Sequence, residues 1–506
     1  MSHATARTMA RPRAELALVV GAGVAGLLAF LLVRHALVDD AYITLDYARN
    51  LARDLHWGLI QHEVSNTATS PLNVVLLALA ATASRPFTSG VDAVAAVGIV
   101  TVAVTIVMAW CWTRIVRALR LPLVAAIVGI ALVLANPFLL SAIGLEVLLA
   151  AALLTALLAA ALEGRAGWFG LVAGLALLTR LDLIVIVVAV ALATPAVRAR
   201  WRRALAATAL VAGPWFLFSW IYFGSAVPDT LLIKTAQRSI WGKWGFFNGP
   251  KMYATGLAGR PRTVELAFAP AALGVVALAV FARRRRFDPV FGLGAGAVAY
   301  YAVLSVLDPG PYHWYYVPPI VALSTVLAIA AGSWLTERGG RALAPALAVG
   351  LTALLALGIV VRDVRQGVPW RSPILSTNYA TADSYERVGK LVRGAVRGAT
   401  VSSFGEIGTL AYYCDCRIVD VYSHRGEAIP LIDHQIAKAD VLRPLLDLNY
   451  LLLDRDRQPP RIQYRLGYAH GPATSGGAVW PVWSRWLGPG HVRLIPVPDS
   501  PRDRYH

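Results

Sequence analysis

Apolar stretches of bilayer-crossing length recur through the first 361 residues, and no other feature restricts the fold as much. A helix rises about 1.5 Å per residue, so about 20 apolar residues cross the hydrocarbon layer. Eleven segments qualify or come close: 16–36, 91–113, 121–139, 146–162, 167–179, 183–197, 204–222, 262–281, 289–306, 316–334 and 342–361. Two are short, and 171–197 also reads as one long broken element. With 57% hydrophobic and 15% charged residues, the chain is too apolar for one or several soluble domains. An all-α polytopic membrane protein of about eleven transmembrane helices follows. Arg7, Arg11 and Arg13 precede the first span, which is too long for a signal core and reads as a retained anchor.

A net charge of +18 would suggest nucleic acid in a soluble protein, but here the arginines sit between spans. If the N-terminus is cytoplasmic, Arg114/Arg117/Arg120, Arg165, Arg198/Arg200/Arg202/Arg203, Arg283 to Arg286 and Arg338/Arg341 all fall on the cytoplasmic side. No nucleic-acid partner is expected; the bilayer is the partner. The other face receives connections 37–90, 223–261 and 307–315, the turn Ser141 to Glu146, and everything after about 362. Residues 70–84 read as an interfacial helix on that face. The chain divides into a membrane domain, 1–361, and an extracytoplasmic α/β domain, 362–506, in a multi-pass plasma-membrane protein. In the second domain Thr400–Ser403, Arg417–Val421 and Tyr450–Leu453 read as strands, Tyr385–Val396 as a helix, and the tail from Pro489 as loose. Cys111, Cys414 and Cys416 are too few for a disulfide framework; Cys414-Asp-Cys416 is a weak metal signal.

The unusual polar residues beside the spans gather on the non-cytoplasmic face. Asp39-Asp40 directly follows the first span. Adjacent carboxylates repel, so one holds its proton more tightly; the pair suits a general base or a divalent cation, while capping of the next helix is the plainer reading. Glu146 is a helix-dipole partner or a site residue. Arg180 and Asp182 interrupt the apolar run 171–193, where charges either pair or work. Lysine is rare, five against 42 arginines, and Lys234, Lys243 and Lys251 share one loop. Lys234 offers a point charge to a phosphate, with surface solvation as its ordinary alternative. His313 stands in Tyr312-His-Trp-Tyr-Tyr316, which an aromatic interface belt also explains.

Taken in order, Asp39-Asp-Ala-Tyr-Ile-Thr-Leu-Asp-Tyr-Ala-Arg-Asn-Leu-Ala52, Ser141-Ala-Ile-Gly-Leu-Glu146, Leu178-Thr-Arg-Leu-Asp182, Tyr222-Phe-Gly…Val-Pro-Asp-Thr230…Lys234 and His313-Trp-Tyr315 resemble the GT-C membrane glycosyltransferases. Among these the sequence is most similar to actinobacterial terminal β-(1→2)-arabinofuranosyltransferases, which use decaprenyl-phosphoryl-arabinose. The resemblance implies an inverting enzyme of cell-wall biogenesis that transfers a sugar from a polyprenyl-phosphate donor to a cell-envelope glycan acceptor. It makes Asp40 the base, with Asp39 as runner-up. Glu146, Glu63 and Asp46 would serve the acceptor, and Arg180, Lys234 and His313 would neutralise the leaving phosphate. Asp182 and Tyr42 would support the site. No cofactor is certain; a divalent cation on Asp39, Asp40 and Glu146 is a possibility.

The sequence departs from the family pattern at Asp46, Leu181, Leu183 and Asp229, which bears on donor sugar and acceptor more than on reaction class. A mannosyl-phosphoryl-polyprenol enzyme is the nearest alternative. A transporter would require midplane charges and inverted repeats, and a glycan-binding scaffold would make Asp39-Asp40 dispensable. In the second domain Glu406, Asp415, Asp420, His424 and Arg425 suit a glycan-binding module or, more simply, a cap over the loops.

Overall fold

The computed structural model describes residues 2–498 apart from 62, 89, 256–260, 285–286, 338–342 and 473–476. Arg285, Arg286, Arg338 and Arg341 of the expected cytoplasmic clusters lie outside the described residues. The chain begins with α1 (Ser2–Val33), α2 (Asp39–Asp54), α3 (Pro71–Ser84), α4 (Ala93–Ala118) and α5 (Leu123–Leu134). Among the described residues six segments are each long and apolar enough to cross a membrane: Pro12–Val33, Ala93–Ala118, Trp201–Phe223, Pro261–Arg283, Pro289–Leu307 and His313–Leu335. Shorter apolar helices, among them Val147–Leu162, Ala166–Thr179 and Leu181–Ala193, pack between them. Helix Leu343–Val364 occupies the last expected span. Apolar side chains facing lipid keep their favourable environment, so Leu16, Val20, Leu28, Leu205, Leu210 and Val276 stay exposed without cost.

The segment expected to break does so at Arg180. Helix Ala166–Thr179 stops there, Arg180 is extended at φ −157° and ψ 122°, and a 3-10 turn Leu181–Leu183 leads into Ile184–Ala193. Freed from the helix, the Arg180 side chain turns toward the polar end of the bundle. A helix, α3, forms over the expected 70–84 segment, with Ser70 accepting from the Asn73 N–H and Pro71 in the first turn. Neither Asp39 nor Asp40 caps α2: both lie in its first turn, behind Val38 at the N-cap.

The C-terminal domain holds a five-stranded sheet in the order β2-β1-β3-β5-β4, formed by β1 (Val401–Ser402), β2 (Ile418–Val419), β3 (Tyr464–His470), β4 (Val479–Ser484) and β5 (Gly488–Pro496). β1 runs parallel to β2 and β3, whereas β5 is antiparallel to β3 and β4. Two expectations fail. Tyr450–Leu453 is a turn after helix Arg443–Asn449, because burying Tyr450 and Leu453 while exposing Leu451 and Leu452 is a period of three, not two. The segment from Pro489 is a paired strand as far as Pro496, with Val492 buried beneath it. Cys414 and Cys416 are disulfide-bonded to each other, which removes them as metal ligands. One apolar core joins this domain to the connection after α1: Tyr47, Trp57 and Leu59 pack in the same cluster as Leu410, Ile418 and Ile432.

Candidate active site

The site lies where the connections after α1, after helix Trp201–Phe223 and before helix Val317–Glu337 meet beneath the C-terminal domain. Asp39 and Asp40 diverge. A helix turns about 100° per residue, so successive carboxylates in the first turn of α2 point to different surroundings. Asp39 is buried and accepts from Gly408 N–H at 3.0 Å and Thr409 N–H at 2.8 Å, the first amides of helix Gly408–Cys414. Burial raises its pKa to about 6, against the lowering effect of the Thr409 amide and with some repulsion from Asp40. Asp39 therefore fastens the C-terminal domain. Gly408 is required for this contact, since a Cβ there would stand 2.1 Å from the Asp39 carbonyl oxygen.

Asp40 keeps 28% of its side chain exposed and accepts from Lys234 Nζ at 3.1 Å. Lys234 comes from helix Thr230–Ala236, and its ammonium lies over the rings of Tyr312 at 4.2 Å and Trp314 at 4.7 Å. Burial pulls the Lys234 pKa down, but the Asp40 carboxylate outweighs it and the ammonium is held charged.

Arg180 forms the second cationic point. Its Nη1 donates to Glu146 at 2.7 Å, its Nε and Nη2 grip Asp182 at 3.0 and 2.5 Å, and its guanidinium lies over the Tyr315 ring at 4.9 Å. Tyr300 donates to Asp182 at 2.8 Å. The Tyr312–Tyr315 segment thus carries Lys234 and Arg180 on neighbouring rings. Glu146 is buried, and its Oε2 has no partner among the described residues.

The remaining expected site residues fall elsewhere. His313 is buried and its Nε2 meets the Ser141 carbonyl at 3.2 Å, so it holds the turn leading to Glu146. Asp46 is fully buried and paired with Arg49 at 2.6 Å, which closes it to an acceptor. Glu63 is spent on His424 at 3.1 Å and Arg457 at 2.5 Å. Tyr42 lies on another side of α2, its hydroxyl 3.4 Å from that of Tyr413. Asp39, Asp40 and Glu146 turn to three different places, the Gly408 and Thr409 amides, Lys234 and Arg180, rather than to one shared point. Among the described residues no group of three or more His, Cys, Asp or Glu is arranged to hold a metal ion.

Sequence reading missed Tyr312, Trp314 and Tyr315 as cation holders and Tyr300 as a donor to Asp182; polar rings beside rare charges were the available signal. It also missed the C-terminal domain's contribution. Tyr422 donates to Gln237 at 2.7 Å beside Lys234, and Arg425 pairs with buried Asp229 at 3.0 Å. Glu406, Asp415, Asp420, His424 and Arg425 do not form one open cluster. Glu406 is bonded to Asn378, Tyr379 and Tyr385, Asp415 faces Arg49, Arg53 and Arg393, and Asp420 closes its own turn.

No protein-family profile matches the chain, nor does any curated protein sequence. Solved structures do match. ArnT from Cupriavidus metallidurans bound to undecaprenyl phosphate superimposes with a TM-score of 0.54 at 16% identity, covering 94% of this chain and 97% of ArnT. The archaeal oligosaccharyltransferase AglB from Archaeoglobus fulgidus, in complex with an inhibitory peptide and a dolichol-phosphate, gives 0.56 at 13% identity, covering 90% of this chain and 69% of AglB. The chain shares the fold of these two proteins.

Proposed function

We propose that this protein is an inverting glycosyltransferase that takes a sugar from a polyprenyl-phosphate donor and passes it to a cell-envelope glycan. The observation that carries the reading is the Asp40–Lys234 pair, a partly exposed carboxylate bonded to a ring-held cation. Arg180 stands on the adjoining ring. A base and two cations are what the transfer needs: the acceptor hydroxyl loses its proton while the leaving phosphate gains charge. The fold shared with a protein bound to undecaprenyl phosphate and with an oligosaccharyltransferase bound to dolichol-phosphate agrees with a lipid-borne donor.

In this mechanism the acceptor oxygen attacks the anomeric carbon from the face opposite the phosphate. The carbon–oxygen bond to phosphate breaks, inverting the centre, and Asp40 takes the hydroxyl proton. Polyprenyl phosphate departs as an anion against Lys234 and Arg180. Asp182 and Tyr300 fix Arg180, and the unpartnered Oε2 of Glu146 is left for a substrate donor. Asp39 does not touch the reacting atoms. On the sequence resemblance, the sugar is arabinofuranose carried on decaprenyl phosphate.

The test offers decaprenyl-phosphoryl-arabinose and mannosyl-phosphoryl-polyprenol separately to a synthetic arabinan acceptor, with wild type and Asp40→Asn in liposomes. Arabinose transfer lost in the folded variant supports the whole reading. Mannose transfer alone replaces the donor. Undiminished activity in Asp40→Asn refutes the base.

A further inference from the structure

A cavity of about 1160 Å³, lined by none of the residues of the candidate active site, lies between α1, α5 and the end of helix Leu343–Val364. Its wall along α1 runs from Ala14 to Arg34, about 30 Å at 1.5 Å per residue, close to the depth of a hydrocarbon layer. Ala17, Gly21 and Ala25 keep that wall low, and Ile127 and Ile130 of α5 face it. Only the end near the C-terminal domain is polar, where the lining includes Arg34 and Asp363.

Asp363 is the anomaly. It is 2% exposed, and neither of its carboxylate oxygens has a hydrogen-bond partner among the described residues. Its own backbone carbonyl accepts from Trp370 Nε1 at 3.0 Å, and the Trp370 N–H donates to the Leu32 carbonyl at 2.7 Å, so the segment is fixed beside the end of α1. The adjacent Arg362 donates instead to Thr263 at 3.3 Å. A buried carboxylate with no donor costs the desolvation of both oxygens, and in a membrane protein such a residue marks a ligand or partner.

We propose that this groove is a binding site for a phospholipid bearing a primary ammonium headgroup, an ethanolamine phospholipid. Its acyl chains fill the apolar wall, its phosphate meets Arg34, and its ammonium donates to Asp363. The charge pattern selects this lipid. A choline headgroup carries positive charge but no N–H to give Asp363, and a polyprenyl phosphate would set an anion beside an unpaired carboxylate. A basic transmembrane helix of another protein would satisfy Asp363 but leave Arg34 without its anion.

The test uses the full-length protein in micelles, with native mass spectrometry against lipids of identical acyl chains whose headgroup nitrogen carries zero, one, two or three methyl groups. Retention should hold while at least one N–H remains and drop by about tenfold at the trimethyl headgroup, the scale of one charge-assisted hydrogen bond. Wild-type protein suffices for this series, so no variant has to fold. Asp363→Asn should abolish the preference, and Arg34→Gln should weaken retention of every phospholipid. Equal retention of all four headgroups would overturn the proposal. So would a preference that survives Asp363→Asn, or polyprenyl phosphate displacing the ethanolamine lipid.

Discussion

Gly408→Ala tests whether the clasp between Asp39 and helix Gly408–Cys414 fixes the C-terminal domain. The new Cβ would stand 2.1 Å from the Asp39 carbonyl oxygen and 2.8 Å from the Ile43 nitrogen. Both are backbone atoms of α2 and cannot swing aside, so the helix must move off. Overpacking of this kind costs about 1–3 kcal/mol. The displacement also stretches two charge-assisted bonds to the Asp39 carboxylate, each on the order of 1.5–3 kcal/mol. These losses overlap, and a total of about 3–5 kcal/mol is expected. Gly394→Ala is the control. It lies in helix Ala382–Val396 of the same domain with nothing within 4 Å of its Cβ, and should be neutral or stabilising by about 0.5–1 kcal/mol. Thermal melting in detergent and limited proteolysis of the linker 366–373, which follows helix Leu343–Val364 and leads into the C-terminal domain, read both variants. Gly408→Ala should melt earlier and be cut faster, and Gly394→Ala should do neither. If Gly408→Ala melted and resisted protease like wild type, the clasp would not be what holds the domain.

The two aspartates should separate in the liposome assay: Asp40→Asn is expected to lower transfer by about 10²–10⁴-fold, the range of a general base, whereas Asp39→Asn should keep transfer while loosening the linker to protease. Comparable loss of transfer in both would contradict this division of roles. Tyr300→Phe removes one hydrogen bond from Asp182 and should reduce transfer modestly through donor binding, seen as a raised KM with kcat little changed; an unchanged KM would show that Arg180 needs no such support. Burial raises Glu406 to about 8, with Asp39 adding repulsion, and raises Asp39 to about 6. For carboxyls raised on folding, stability is full below the unfolded pKa near 4 and falls as pH rises through the folded values. Melting temperature should therefore decline from pH 5 to pH 9, and Glu406→Gln should flatten the upper part of that decline; a wild-type curve flat over this range would refute the assignment.

The sequence by itself determined the membrane architecture, because apolar length and helical rise leave little choice in a bilayer. Helices occupy the spans read from residues 16 to 361, with the break at Arg180, though among the described residues only six are long and apolar enough to cross a membrane; Asp40, Glu146, Arg180, Asp182 and Lys234 were legible as rare charges beside apolar runs. The C-terminal domain was read less well: short strands such as β1 and β2 carry almost no periodicity, and β5 has only a few apolar residues to mark it. What only the tertiary structure decided is which charge meets which partner. Asp39 and Asp40 are adjacent in sequence, and their separation depends on helix phase and on a helix some 370 residues away coming to rest on one of them. Asp46, Glu63 and His313 were site residues on the family resemblance, but Asp46 pairs with Arg49 on its own helix, and Glu63 and His313 are buried against partners far along the chain. Local sequence sets where a charge can sit; the fold sets whether it stays free to act.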